Sequence, residues 1–430
     1  MTTTPSTNSK PQPAEPTPAL WIGLDWGDRQ HSFALLDASG HREEGTLEHT
    51  PETLHAWLKG LEQRTGGRPV RLALETSRGA VVAVLLEYPW LEIYPINPVT
   101  SANFRKAFAP SGAKDDLPDA RVLLDLLTHH ADKLRPLQVQ DAPTQKLAAL
   151  VEARRGLVDR RTALLNQLTS LLKGYFPQAL VLLGSLNTDL AIAWLRRWPD
   201  LLALKTAKPA TLKRFYYQHQ VRSDELIQER LELVARAQSL TTDQDRIAVA
   251  VLQLHPLLDQ LEVLRRHVEV FNDEIKAAFA AHPEAGLFQE LPGAGPQLAP
   301  RLCVAFGTVR PLYPDPDSVQ KYMGVAPVRE KSGNQCWTHW RWQAPKFLRQ
   351  TFVEWAGQTV RYSAWAGKYY EAMEKKGKKH AVILRALAFK WIRILWRCWQ
   401  DRTPYDEARY LRQLQHRKSP YAIITTIEKS

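Results

Sequence analysis

Cysteine is scarce in this sequence. Cys303, Cys336 and Cys398 are the three present in 430 residues, and no two form a CxxC pair. That argues against a disulfide scaffold or a cysteine zinc site, and it fits a reducing cytoplasm. Long apolar runs are missing as well. No stretch approaches the roughly 18 uninterrupted apolar residues of a membrane span, so none is expected. The opening MTTTPSTNSKPQPAEPTP lacks the apolar segment of a signal peptide and reads as a disordered tail over 1–18. At this length two or three domains are expected rather than one core.

Acid is missing where base is concentrated. Residues 321–400 contain 16 Lys/Arg, four Glu and no Asp, so this window alone equals the whole chain's formal net charge of +12. It also holds eight of the 14 tryptophans: Trp337, Trp340, Trp342, Trp355, Trp365, Trp391, Trp396 and Trp399. Basic charge interleaved with aromatics is the footprint of a nucleic-acid surface. The plainer alternative is a solvated basic face over a tryptophan core.

The hydrophobic pattern predicts an α/β region followed by helices. LWIGLDWGDRQHSFALLD reads as two strands joined near Gly27-Asp28, and REEGTLEHT as a third. A helical beat follows over 51–64, then a strand at 70–76, a helix in RGAVVAVLLEY, a strand at 91–97 and an acidic helix, GAKDDLPDARVLLDLL, at 112–127. This order predicts a mixed sheet in a domain at 19–135. The segment 143–283 reads as a helical linker. Past Pro256, Leu257, Leu261, Leu264, Val268, Phe271 and Ile275 step 4-3-4-3-4, a coiled-coil seam for an internal helix pair or a dimer. In LPGAGPQLAPRLCVAFGTVR, Pro292-Gly293 and Gly295-Pro296 predict a turn entering a helix, like the hairpin of helix-hairpin-helix modules. There Gly293 and Gly295 would bring backbone N–H groups to phosphates. The chain is expected to be irregular from Pro327 to about Pro345 and helical again to 400, within a mostly helical domain at 285–400. A tail is expected at 401–430.

Four acids fall where an α/β domain places function. Asp25 ends the strand IGLD and Glu75 ends RLALE, and sheets carry their sites at strand ends. Asp116 and Asp119 are three apart on one helix, so they share a face. Hard cations such as Mg²⁺ take carboxylate and phosphate oxygens, and two ions about 4 Å apart polarise both oxygens of a phosphodiester displacement. Each acid also has a plain reading: Asp25 opens the turn DWGD, Glu75 is a surface acid, Asp115 caps the helix, and Asp125 sits on a solvated face.

The ordered set GLDWG, ALETSRGA and KDDLPDA, followed by LPGAGPQLAPRLCVAFGTV, YMGVAPVREKSGN and KKGKKHAVILRALAFKWIRIL, resembles the DEDD transposases of IS110-type bacterial insertion sequences. These are relatives of the Piv-type invertases and include bridge-RNA-guided recombinases. The resemblance covers about 20–130 and 285–400. It implies a ribonuclease-H-like, RuvC-type resolvase fold for the first domain, with Asp25, Glu75, Asp116 and Asp119 as catalytic ligands of Mg²⁺, two ions per site. Asp115 stands where the family has a small polar residue, which leaves Asp115 as an alternative to Asp116.

The resemblance further implies that the serine of a Ser-Gly step, here Ser332-Gly333, is a nucleophile forming a covalent phosphoserine. Arg329, Lys331 and Arg341 are positioned in sequence to stabilise the transferring phosphoryl group. Lys378, Lys379, Arg385 and Lys390 extend the nucleic-acid contact. The implied partners are donor and target DNA, a noncoding guide RNA and further copies of the chain, a dimer or tetramer, in the bacterial cytoplasm at the nucleoid. Two rivals stay open. One is a junction-resolving nuclease that uses water. The other is a basic nucleic-acid-binding protein whose acids are structural.

Overall fold

β1 (Leu20–Asp25), β2 (Gln30–Asp37) and β3 (Arg42–Glu48) form an antiparallel meander. On the other edge of β1 lie β4 (Val70–Leu74) and β5 (Leu91–Pro95), both parallel to it, giving a mixed sheet of order β3-β2-β1-β4-β5. In this computed structural model, residues 18–77, 79–108 and 116–421 are described, without the side chains of 108 and 116–118. Packing divides the chain into two units, Met1–Val139 and Gln140–Ser430.

In the first unit, α1 (Pro51–Thr65) starts where Thr50 accepts a hydrogen bond from the Thr53 amide at 3.2 Å, with Pro51 in its first turn. It ends at Gly66 in the left-handed region, φ 62°. These are the usual start and stop signals. Its buried Leu54, Leu58 and Leu61 face one side of the sheet. α2 (Ala80–Leu85) follows β4. After β5 come α3 (Pro98–Phe108) and α4 (Asp116–His129). The strand-helix reading does not anticipate α3. Its signal was Asn97-Pro98: the Asn97 side chain accepts from the Val99 amide at 2.9 Å, a cap followed by proline at the first helical position.

α4 lies directly on β1. A Cβ added at Gly23 would overlap the Ala120 carbonyl and stand 2.5 Å from the Leu124 amide nitrogen. Glycine at 23 and alanine at 120 are what let strand and helix backbones meet.

In the second unit two long helices, α5 (Ala142–Tyr175) and α11 (Gln244–Ala280), run side by side. Asp141 and Asp243 cap them. Between them come α6 (Gln178–Leu183), α7 (Asp189–Arg197), α8 (Leu201–Lys205), α9 (Pro209–Gln218) and α10 (Asp224–Arg236). The pair is antiparallel. Leu147 and Val151 share a core with Ile275, whereas Leu168 and Leu172 share another with Leu254, Leu258 and Leu261. The seam at 257–275 is thus used inside one chain, against α5, with Pro256 accommodated within α11. By length and mean hydropathy α11 would suffice to cross a membrane; here its apolar stripe is spent on α5.

The remaining elements are α12 (Ala285–Phe288), α13 (Gly295–Phe306), α14 (Pro316–Tyr322), β6 (Val328–Ser332), β7 (Gln335–His339), α15 (Lys346–Tyr362), α16 (Ala364–Lys375), α17 (His380–Gln400) and α18 (Glu407–His416). Trp355, Trp365, Trp391 and Trp399 fill the core of α15–α17. The expectation of irregular chain after Pro327 is corrected: β6 and β7 are an antiparallel hairpin with Ser332 paired to Gln335. Gly333, at φ 58°, supplies the left-handed residue that a two-residue turn requires.

Gly23→Ala should destabilise the first unit by about 2 kcal/mol or more through overpacking. Gly60→Ala, in the open on α1, should stabilise by about 0.5–1 kcal/mol. Urea unfolding followed by backbone amide signals of 20–130 checks both; a neutral Gly23→Ala would remove the close helix-strand contact.

Candidate active site

The parallel register pairs Leu24 with Leu74. The next residues, Asp25 and Glu75, therefore leave neighbouring strands at one level, with backbones about 4.8 Å apart. Strand alternation turns both side chains to the same face. That face is the one α4 covers, because Gly23 meets Ala120 and Ala73 packs with Leu123, Leu126 and Leu127. Asp119 precedes Ala120 in the first turns of α4, so the same face carries a third carboxylate. Asp25, Glu75 and Asp119 are all half-buried.

The unanticipated helix α3 supplies partners to two of these acids. The buried Ser101 hydroxyl donates to Glu75 Oε1, and Arg105 forms an ion pair with Asp119. Asp115 lies outside the described residues, as does the side chain of Asp116. Among the described residues no three His, Cys, Asp or Glu side chains close on one metal position. The donors nevertheless have the chemistry a hard cation takes, and Arg105 supplies positive charge to one of them. Asp125 stands apart, 3.5 Å from Arg42 in an exposed pair.

Ser332 is exposed at the tip of the β6–β7 hairpin. At the other end of β7, His339 Nε2 donates to Glu330 Oε1 at 2.7 Å and its Nδ1–H to the Trp340 carbonyl at 2.9 Å. Trp337 Nε1 donates to the other Glu330 oxygen at 2.8 Å. Four residues of strand separate His339 from the level of Ser332, about 13 Å. His339 therefore belongs to the hairpin's base and is not the proton acceptor for Ser332.

The basic residues divide by surroundings. Arg329, Lys331, Lys378 and Lys379 are exposed, the last two just before α17. Arg341 is half-buried, and Arg385 stacks on Trp340. Lys390 is turned inward, its ammonium 5.1 Å from the Tyr369 ring centre and 5.8 Å from that of Tyr421, and burial pushes its pKa down. The residue as a whole is half-buried. Gly293, at φ 69°, packs closely on a helix: an added Cβ would stand 2.9 Å from Gln358 and Tyr362 of α15. Its bareness serves helix packing, with the neighbouring Pro292 carbonyl accepting from Trp355 Nε1 at 3.0 Å. Gly295 is exposed at the start of α13.

The Trp340 carbonyl and then the Glu330 carboxylate raise the His339 pKa above its ordinary 6.5. A raised folded pKa means that the protonated pairing adds stability below about pH 6.5 and loses it as pH climbs through the folded value. An NMR titration should place the His339 midpoint above 6.5, and Glu330→Gln should lower it. A midpoint at or below 6.5 would break the pairing.

Two family models match this chain. One, described as a transposase of the DEDD, IS110 type, matches residues 22–177; the other, described as Transposase IS116/IS110/IS902 family, matches residues 285–371. The mini-circle protein of IS117 from Streptomyces coelicolor, which bears a transposase name, is 27% identical over 91% of this chain and 96% of its own length. The uncharacterised 43.6 kDa protein of insertion element IS110, also from Streptomyces coelicolor, is 26% identical over 90% of this chain and 95% of its own. The uncharacterised 44.8 kDa protein of IS116 from Streptomyces clavuligerus is 24% identical over 90% and 96%. Both matched segments carry residues placed above, Asp25, Glu75 and Asp119 in one and Ser332 in the other, and the chain belongs to the IS110 family of insertion-sequence transposases.

Proposed function

We propose that this transposase cuts and rejoins DNA through a phosphoserine on Ser332, with the carboxylates Asp25, Glu75, Asp116 and Asp119 holding Mg²⁺, two ions per site. The observation that carries the reading is the in-register placement of Asp25 and Glu75 on the face that also bears Asp119. The sheet supports a ribonuclease-H-like reading of the first unit, since an antiparallel meander is extended by two parallel strands on the β1 side. DEDD transposases are in general metal dependent. When bound, Mg²⁺ would withdraw charge from the phosphate oxygens and lower the pKa of the attacking hydroxyl.

Ser332 supplies the nucleophile. Its Oγ attacks phosphorus, the new P–Oγ bond forms and the P–O3′ bond breaks. The serine proton leaves and the departing 3′ oxygen takes one up, so a 3′-hydroxyl is released. Rejoining reverses the step: a 3′-hydroxyl from another strand attacks the phosphoserine and returns the proton to Oγ. One phosphoester replaces another throughout, so no external energy source is needed. An exposed serine beside a positive-φ glycine, on a strand with Arg329 and Lys331, suits approach by a backbone phosphate. Arg105 and Ser101 hold Asp119 and Glu75 in place between encounters. A guide RNA that reads sequence by base pairing, and assembly of two or four chains so that several strands are cut together, complete the proposal.

Wild-type protein with Mg²⁺ and substrate DNA should give a covalent adduct on denaturing gels, with mass spectrometry locating it on Ser332. Ser332→Ala should bind DNA and form none. Asp25→Ala, Glu75→Ala and Asp119→Ala should abolish cleavage in folded protein, whereas Asp125→Asn should stay within about twofold, as expected of an exposed ion pair. Wild-type cutting by Ser332→Ala would make water the nucleophile and the resolvase-type nuclease the right reading.

A further inference from the structure

Behind the serine hairpin, two arginines face one indole, and a third follows it in the chain. Arg341 lies in the loop after β7, Arg349 on α15 and Arg385 on α17. The Trp340 ring centre is 3.3 Å from the guanidinium carbon of Arg385 and 4.8 Å from that of Arg349. Arg349 Nη1 donates to the Arg341 carbonyl at 3.2 Å. The Nε groups of Arg341 and Arg385 are buried without a hydrogen-bond partner. Among the described residues no carboxylate forms an ion pair with any of the three. Like charges held together without a counter-charge are unfavourable on their own, and burial together with Arg349 pushes the Arg385 pKa down. An anion is the missing partner.

The neighbouring residue shows which anion. Trp342, in the same loop, is 73% exposed. A whole indole in water beside a guanidinium cluster is the pairing by which proteins hold a nucleic-acid strand, with phosphate on the cations and a base on the ring. A base that stacks on a side chain is not paired in a duplex, so the strand is unpaired there.

We propose that Arg341, Arg349 and Arg385 seat one backbone phosphate of an unpaired DNA segment, whose adjacent base stacks on Trp342. The proposal rests on the reading of this chain as a DNA-cutting transposase in one respect, the choice of DNA as the strand. Trp340 is a positioning residue: it spaces the two helix-borne guanidiniums and touches no nucleotide. The seat lies on the loop that joins the Ser332 hairpin to α15, so it would fix the strand relative to the nucleophile.

The test uses the full chain and fluorescence anisotropy over a range of salt, with single-stranded DNA, duplex DNA and RNA of one sequence. Arg349→Gln and Arg341→Gln should each weaken single-strand binding and reduce the slope of log K against log salt, by at most about 0.7, the value for the one phosphate they share. Trp342→Ala should weaken binding at least fivefold and leave the slope alone, and Trp342→Phe should recover most of the loss. If Arg385→Gln does not fold, Arg341→Gln, on the loop, decides. An unchanged slope in the arginine variants, an equal loss on duplex, or a loss confined to RNA would overturn the proposal. Adduct formation is scored separately. An adduct on Ser332 with unchanged slopes removes the seat and keeps the phosphoserine; altered slopes without any wild-type adduct do the reverse.

Discussion

The first unit depends on one close approach, the backbone of α4 resting on β1 at Gly23. With any side chain there, the helix would ride several ångströms higher. Asp119 would then leave the level of the strand ends where Asp25 and Glu75 emerge. The register of β1 with β4 sets the first two acids, and the bare glycine sets the third relative to them. α3 then holds this acidic face together: Arg105 balances Asp119, and Ser101 donates to Glu75. A carboxylate cluster without such partners would repel itself.

In the second unit one composition does two jobs. Four tryptophans of the basic window are core, and each buried indole N–H has an acceptor: Trp355 the Pro292 carbonyl at 3.0 Å, Trp365 the Tyr405 hydroxyl at 3.0 Å, Trp391 the Thr359 hydroxyl at 2.8 Å and Trp399 the Gly307 carbonyl at 2.7 Å. Trp337, Trp340 and Trp342 instead line the serine hairpin and its loop. The charge divides likewise: Lys390 is half-buried against two tyrosine rings, while Arg329 and Lys331 stay in water. The tryptophan-core reading of this window holds for those four residues, and the exposed tryptophans and cations are the ones left to the nucleic-acid reading.

Most of the α/β pattern was legible because its strands are apolar, short and bounded by turn residues, and because α1 and α4 carry leucines at helical spacing. What was not legible depended on contacts distant in sequence. α3 has no continuous apolar stripe, and its start was marked by Asn97-Pro98 alone. The hairpin at 328–339 is exposed on nearly every residue, so no alternation of apolar and polar residues marked it; only Ser332-Gly333-Asn334 did. The packing of Gly293 against α15 was not legible, because composition cannot tell a turn that faces solvent from one that faces a helix. The four candidate acids were marked by strand ends, by helix spacing and by their order along the chain. The arginine that pairs with Asp119 lies 14 positions before it, on another helix, and no local spacing announces it.

The antiparallel pair of α5 and α11 has a topological consequence. The chain leaves the tryptophan-rich core along α5, builds a second core from residues 168–261, and returns along α11 to the core it left. Everything between 176 and 243 is an excursion on a two-helix stalk about 50 Å long, from 34 residues at 1.5 Å each. Its two feet stand side by side, about 10 Å apart. Lengthening both helices by one heptad would move the distant lobe outward by about 10 Å and leave the core at the feet unchanged. The reach of the lobe is thus a quantity that evolution can adjust in steps, independently of the chemistry at either end of the chain.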